Sequence, residues 1–111
     1  MKSVNQLEHR WGERHEVNLP ILVDAGTEVK GGKGCVRNLS LSGAFVTSDC
    51  DWRLNTLIEV AIRMPPPSTR ITIVRAIVSR KLKDGVGIEW YEFAPKVIKD
   101  LLRLGTSSRH G

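Results

Sequence analysis

Apolar and polar positions alternate along much of the chain, most clearly from Leu57 to Met64, where Ile58, Val60 and Ile62 fall on one side and Glu59, Ala61 and Arg63 on the other. A period of two sends successive side chains to opposite faces, the mark of a strand with one buried face. Pro65, Pro66 and Pro67 end this strand, because proline offers no N–H to a ladder. Five more stretches rich in β-branched residues, separated by Gly and Pro, predict further strands. Val17–Ala25 contains Pro20, expected at an edge or a bulge, and Thr27–Leu39 is interrupted by Gly31, Gly32 and Gly34, where a bend or a close backbone approach is expected. Gly43–Ser48 follows, and Arg70–Lys81 and Val86–Phe93 are joined by a Lys83-Asp84-Gly85 turn.

Helical spacing occurs near the C-terminus, where Val97, Ile98, Leu101 and Leu102 share a face, Pro95 fits a first helical position and Gly105 fits a stop. Six short strands followed by one amphipathic helix predict a mainly β fold, a small six-stranded antiparallel barrel with the helix packed over one opening or side. Met1–Glu16 has no consistent period, and Gly12 sits between Arg10 and Arg14 where a helix disfavours it. Residues 1–16 therefore read as a flexible arm, 17–105 as the barrel with its helix, and 106–111 as a tail.

Composition narrows the class. The 111 residues are 41% hydrophobic and 26% charged, which fits one folded domain and excludes a disordered chain. A core of this size is modest and gives no scaffold for a large enzyme with a deep cleft. No stretch approaches the ~20 apolar residues of a membrane span, and Met1–Trp11 has no apolar run that could act as a signal, so the expected location is cytoplasmic. Cys35 and Cys50 match neither a disulfide framework nor a paired zinc pattern and are expected as small buried thiols.

The 17 Lys and Arg exceed the 12 Asp and Glu by 17 − 12 = 5, and the excess is unevenly placed. Arg63, Arg70, Arg75, Arg80, Lys81 and Lys83 follow one another with no acidic residue between them. Such a segment attracts an anion, or protects strand edges from pairing with other chains.

Catalytic chemistry finds no support in the residues. His9, His15 and His110 lie near the two ends without metal-ligand spacing, so no metal is expected. Ser40 lacks a GxSxG setting, no phosphate-binding GxxxxGK[ST] loop is present, and Gly85-Val86-Gly87 is too short for a dinucleotide fingerprint. No catalytic residue and no cofactor is assigned.

Two groupings are more informative, Arg10-Trp11-Gly12-Glu13-Arg14 in the arm and Asn38-Leu39-Ser40-Leu41-Ser42-Gly43 between two strands. An arginine fork can donate to O6 and N7 of guanine, lie flat on a purine, or pair with phosphate oxygens. Asn38 and Ser40 can meet a base edge or a phosphate, and Gly43 leaves room for a ligand. Asn and Ser in a turn also bond their own backbone, so the second grouping is equally a good turn. Of the three tryptophans, Trp52 and Trp90 are expected in the core or at the barrel edge, and Trp11, between the arginines, is the better ligand candidate.

Taken in this order, the two groupings resemble the PilZ domain signatures RxxxR and [D/N]xSxxG. Leu19-Pro20-Ile21-Leu22-Val23 resembles the family's first strand and Gly85-Val86-Gly87-Ile88-Glu89-Trp90 its closing strand. The resemblance covers nearly the whole chain. It implies a six-stranded PilZ-type β-barrel with a C-terminal α-helix that binds the second messenger cyclic di-GMP without catalysis and passes the signal to a protein effector, so far unidentified, in motility, pili, biofilm or exopolysaccharide output. By position, Arg10, Arg14, Asn38, Ser40 and Gly43 would bind the ligand, with Trp11, His9 and His15 as secondary contacts. Three departures stand out, one of them Ser42, which stands where many members have Gly. Asn38 replaces the commoner Asp, losing an acceptor oxygen for the guanine N1–H and N2–H, and His9 stands where a third arginine is frequent. The rival readings are a PilZ-like adaptor that does not bind nucleotide, and a small basic barrel that holds single-stranded nucleic acid through the Arg63–Lys83 segment. Intact Arg10, Arg14, Asn38, Ser40 and Gly43 weigh against the first, and nucleic acid is not expected as the partner.

Overall fold

The alternation read from the sequence becomes a ring of strands in the computed structural model, which describes residues 14–26 and 31–110, with side chains of the helix as far as Arg103. The strands are β1 (His15–Asp24), β2 (Gly32–Leu39), β3 (Gly43–Thr47), β4 (Leu57–Arg63), β5 (Ile71–Leu82) and β6 (Gly85–Trp90), followed by helix α1 (Lys96–His110). They pair antiparallel throughout and close as β1-β2-β3-β6-β5-β4. Closure pairs the strand edges that would otherwise invite association.

The interior is the apolar half of each alternation. Ile58, Val60 and Ile62 of β4 are buried, and Val74, Ala76 and Val78 of β5 face them across the register pairs Val60–Val74 and Ile58–Ala76. Val36, Val46, Val86 and Ile88 fill the other side, and Trp52 and Trp90 are both in the core, as the sequence suggested. Helix α1 adds Ile98 and Leu101 to the same cluster. The carbonyl of Pro95 accepts the amides of Ile98 and Lys99, each at 3.0 Å, which places the proline just ahead of the first turn.

Several assignments differ from the sequence reading, among them the last strand, which ends at Trp90 rather than Phe93. β1 starts at His15 rather than Val17, because His15 and Glu16 pair with Leu39 and Asn38 of β2. The arm as read therefore loses its last two residues to the barrel, and Arg14 is the residue just before the strand. Helix α1 continues through Gly105 to His110, since an interior glycine costs a helix about 1 kcal/mol without forbidding it. Cys35 and Cys50 are half-buried free thiols rather than core residues, and the Cys35 thiol donates to Asn18 Oδ1 at 2.9 Å. Pro20 is exposed in mid-strand, and β1 begins to pair with β4 only at Ile21, so the proline falls where one edge of β1 has no ladder to interrupt. The remainder of the predicted arm, residues 1–13, and residues 27–30 of the predicted second strand lie outside the described residues.

Candidate ligand-binding cleft

A turn fixed from several sides joins β2 to β3. The Ser40 amide donates to the Gly43 carbonyl at 2.9 Å, and the Ser40 hydroxyl donates to the same carbonyl at 3.1 Å while accepting the amides of Ser42 and Gly43 at 3.3 and 3.2 Å. The turn is also fastened to the end of β6 and the segment beyond it. The Trp90 indole donates to the Ser40 carbonyl at 3.0 Å, the Trp90 amide to the Ser42 carbonyl at 3.0 Å, and the Ala94 amide to the Leu41 carbonyl at 3.0 Å. Ser40 is the one buried polar residue in the described barrel, at 5% exposure, and its hydroxyl is occupied within the turn. The need for glycine at Gly43 is likewise local, since a Cβ there would lie 2.0 Å from the Ile88 carbonyl oxygen. Close approach of β3 to β6, not room for a ligand, requires it.

Above this turn lies an open cleft of about 670 Å³ on the outer face of β2, β3, β6 and β5. It gathers Arg14, Asn38, Ser40 and Gly43, four of the residues singled out in the sequence. Arg14 arrives from the residue before β1 and Asn38 from the end of β2, so two segments far apart in sequence meet at one surface. His15 does not line the cleft. Its Cα lies opposite Leu39 and its side chain is half-buried. Arg10, Trp11 and His9 are outside the described residues.

The cleft also contains residues that the sequence reading did not assign to a site, chiefly Phe45, Arg80, Gly87 and Glu89. Asn38 pairs with Phe45, Phe45 with Gly87, and Gly87 with Arg80, so these four make one row across four strands. Neighbouring positions on these strands, Leu39, Val46, Val86 and Ile88, point inward and are buried, which turns the row outward. A bulge in β5 between Val78 and Arg80 brings Arg80 into that row, and the Ser79 hydroxyl donates to the Gly87 carbonyl at 3.2 Å beside it. The cationic face of the cleft is thus Arg14 at one end and Arg80 at the other, with the Glu89 carboxylate opposite Gly43.

The basic segment of the sequence does not form one surface. Arg80 lines the cleft, Lys81 pairs with Asp51, and Arg75 lies over the Tyr91 ring at 5.0 Å from its centroid. Arg63 lines a separate groove with Pro20, Leu22 and Ile71. Alternation and the bulge distribute these charges to different neighbours. Among the described residues no helix is long and apolar enough to cross a membrane, and no group of three or more His, Cys, Asp or Glu side chains could hold a metal ion.

Comparison with known proteins agrees with this architecture. The family model of the PilZ domain matches residues 8–105. Among solved structures, the Bacillus subtilis inhibitor of motility (MotI/DgrA) superposes with a TM-score of 0.65 at 17% identity, over 86% of this chain and 49% of that one. The chain thus spans about half the length of that neighbour, and the likeness is one of fold. No curated protein matches.

Proposed function

Because the chain belongs to the PilZ domain family, we propose that it is a non-enzymatic receptor for cyclic di-GMP, with the ligand held over the cleft between Arg14 and the Asn38–Gly43 turn. The observation that supports this reading most directly is the meeting of Arg14 with Asn38 on one open, partly cationic surface. The last arginine of one motif and the turn residues of the other are adjacent in space.

The chemistry rests on the groups present. The Arg14 guanidinium is exposed and offers its fork of donors to a phosphate or to guanine O6 and N7. Arg10, one helical turn's worth of sequence earlier, would supply the second fork. Asn38 is half-buried at the floor and presents a carbonyl oxygen and an amide to a base edge. Ser40 and Gly43 act here as builders of the turn: the hydroxyl closes the loop, and the glycine lets β3 lie against β6. Binding then presents a changed surface to a protein effector. The structural neighbour is described as an inhibitor of motility, and control of motility is the output proposed for this chain too.

Calorimetric titration of the full chain with cyclic di-GMP tests the reading. The expected dissociation constant is about micromolar, or roughly −8 kcal/mol. A folded sample that gives no heat and no spectral change with several hundred micromolar ligand, on the order of a hundred times that constant, would overturn it.

A further inference from the structure

Three glycines line or border the cleft region, and the fold explains only two of them. A Cβ at Gly43 would lie 2.0 Å from the Ile88 carbonyl oxygen, and one at Gly85 2.0 Å from that of Val46, so backbone contact excludes any side chain at both. At Gly87 a Cβ would meet only side-chain atoms at ordinary contact distance, Arg80 Cβ at 3.6 Å and Nε at 3.8 Å and Ser79 Oγ at 3.9 Å. The barrel does not need glycine there. What its absent side chain leaves is a strip of β6 between two outward neighbours, Phe45 on β3 and Arg80 on β5, covered only by the flexible Arg80 side chain, whose Nε lies 3.8 Å from where a Gly87 Cβ would stand.

We infer that this strip is a guanine-reading slot, in which one base of the ligand lies between the Phe45 ring and the Arg80 guanidinium with its N1–H and N2–H edge on Glu89. The inference rests on the cyclic di-GMP reading above and extends it to residues outside both motifs. Phe45 and Arg80 are separated by two strand spacings, roughly 9–10 Å between backbones. A flat ring needs about 7 Å between its two neighbours to touch both at van der Waals distance, so a base fits between the two strands once the Arg80 guanidinium swings off Gly87 to stack on it. An aromatic face on one side and a guanidinium plane on the other both favour a purine. With the base plane along β6, its edge points toward Glu89, two residues on and on the same outward face, roughly 7 Å away. A carboxylate accepts both N1–H and N2–H of guanine, whereas adenine presents an acceptor at N1 that a carboxylate repels. Glu89 would thereby supply the acceptor that Asn38, in place of Asp, lacks.

The test compares cyclic di-GMP and cyclic di-AMP on the intact protein and on three variants, Gly87→Val, Arg80→Ala and Glu89→Gln, with melting temperature measured alongside. Gly87→Val fills the slot with a strand-favouring residue and is expected to leave the melting temperature in place while weakening cyclic di-GMP by about tenfold or more. Arg80→Ala should weaken it to a similar extent. Glu89→Gln should lose about tenfold for cyclic di-GMP and nothing for cyclic di-AMP, narrowing the preference between them. Phe45→Trp gives an independent readout, since its indole should be quenched when a base stacks on it. Wild-type affinity in both Gly87→Val and Glu89→Gln, with the intact protein binding, overturns the slot and leaves the receptor reading standing. No binding of cyclic di-GMP by the intact protein overturns both.

Discussion

Replacing Ser40 and replacing Arg14 should separate stability from binding, although both residues belong to the motifs that suggested the ligand. In Ser40→Ala the Gly43 amide, which is buried, loses the only acceptor shown for it, while the exposed Ser42 amide can turn to water and the Gly43 carbonyl keeps the Ser40 amide. One orphaned buried donor costs about 1–3 kcal/mol, and for a domain of this size each kcal/mol moves the melting temperature by about 4 °C. The variant should therefore melt roughly 8 °C lower by circular dichroism. Well below its melting point it should bind cyclic di-GMP within a few-fold of the parent, because the hydroxyl is turned into the loop. Arg14→Ala should do the reverse, with melting unchanged within about 0.5 kcal/mol, as expected of an exposed side chain, and affinity lower by ~1.5–3 kcal/mol. An unchanged melting temperature in Ser40→Ala together with a tenfold or greater loss of affinity would refute the reasoning. The hydroxyl would then be meeting the ligand, and the turn would be held by something else.

Gly43→Ala should cost more than about 3 kcal/mol or abolish folding, since the added carbon lies 2.0 Å from a backbone oxygen, whereas Gly87→Ala should fold normally; equal melting temperatures would contradict this. Trp90→Phe should be less stable than Trp52→Phe by about 1 kcal/mol in urea unfolding, because the Trp90 indole donates to the Ser40 carbonyl while the Trp52 indole N–H has no partner among the described residues. The opposite order would show that the bond does not hold the turn. Asn38→Asp should tighten cyclic di-GMP several-fold by restoring an acceptor oxygen, read by calorimetry; a weakened complex would mean that the Asn38 amide donates to the ligand.

The barrel was legible because its information is local. β4 could be read residue by residue, Ile58, Val60 and Ile62 inward, since a strand's two faces alternate whatever lies beyond it. The turn was legible too, but its chemistry was only half so. The pattern of Asn38, Ser40 and Gly43 suits a ligand and a self-bonded loop equally well, and the balance depends on the Ile88 carbonyl and the Trp90 indole, which come from distant parts of the sequence. Arg80 was visible only as one of six basic residues, and Glu89 only as a member of the last strand. Their place in the cleft depends on register, and the β5 bulge that sets it leaves no mark in composition. Gly105 misled for an energetic reason: a penalty near 1 kcal/mol lowers helix stability without fixing a boundary.

If the cleft is to signal, the signal has to leave it through β1. Arg14 immediately precedes that strand, and the strand's first half pairs with β2 across an irregularity between Glu16 and Leu19 but meets β4 only from Ile21 onward. Segments with one paired edge open more readily than those with two, so His15–Pro20 is the part of the described barrel that a ligand gripping Arg14 and the β2–β3 turn can stabilise most. The other edge of the same stretch borders an apolar groove lined by Val17, Leu19, Met64, Pro65 and Leu101 of α1. A ligand shifts an equilibrium only by its different affinity for the two states. A ligand that held Arg14 and the turn together would favour the state in which the two are close. That would fix the first pairs of β1, and with them one wall of the groove at α1, and the groove's surface would then be the part of the barrel whose shape could report the ligand to a partner.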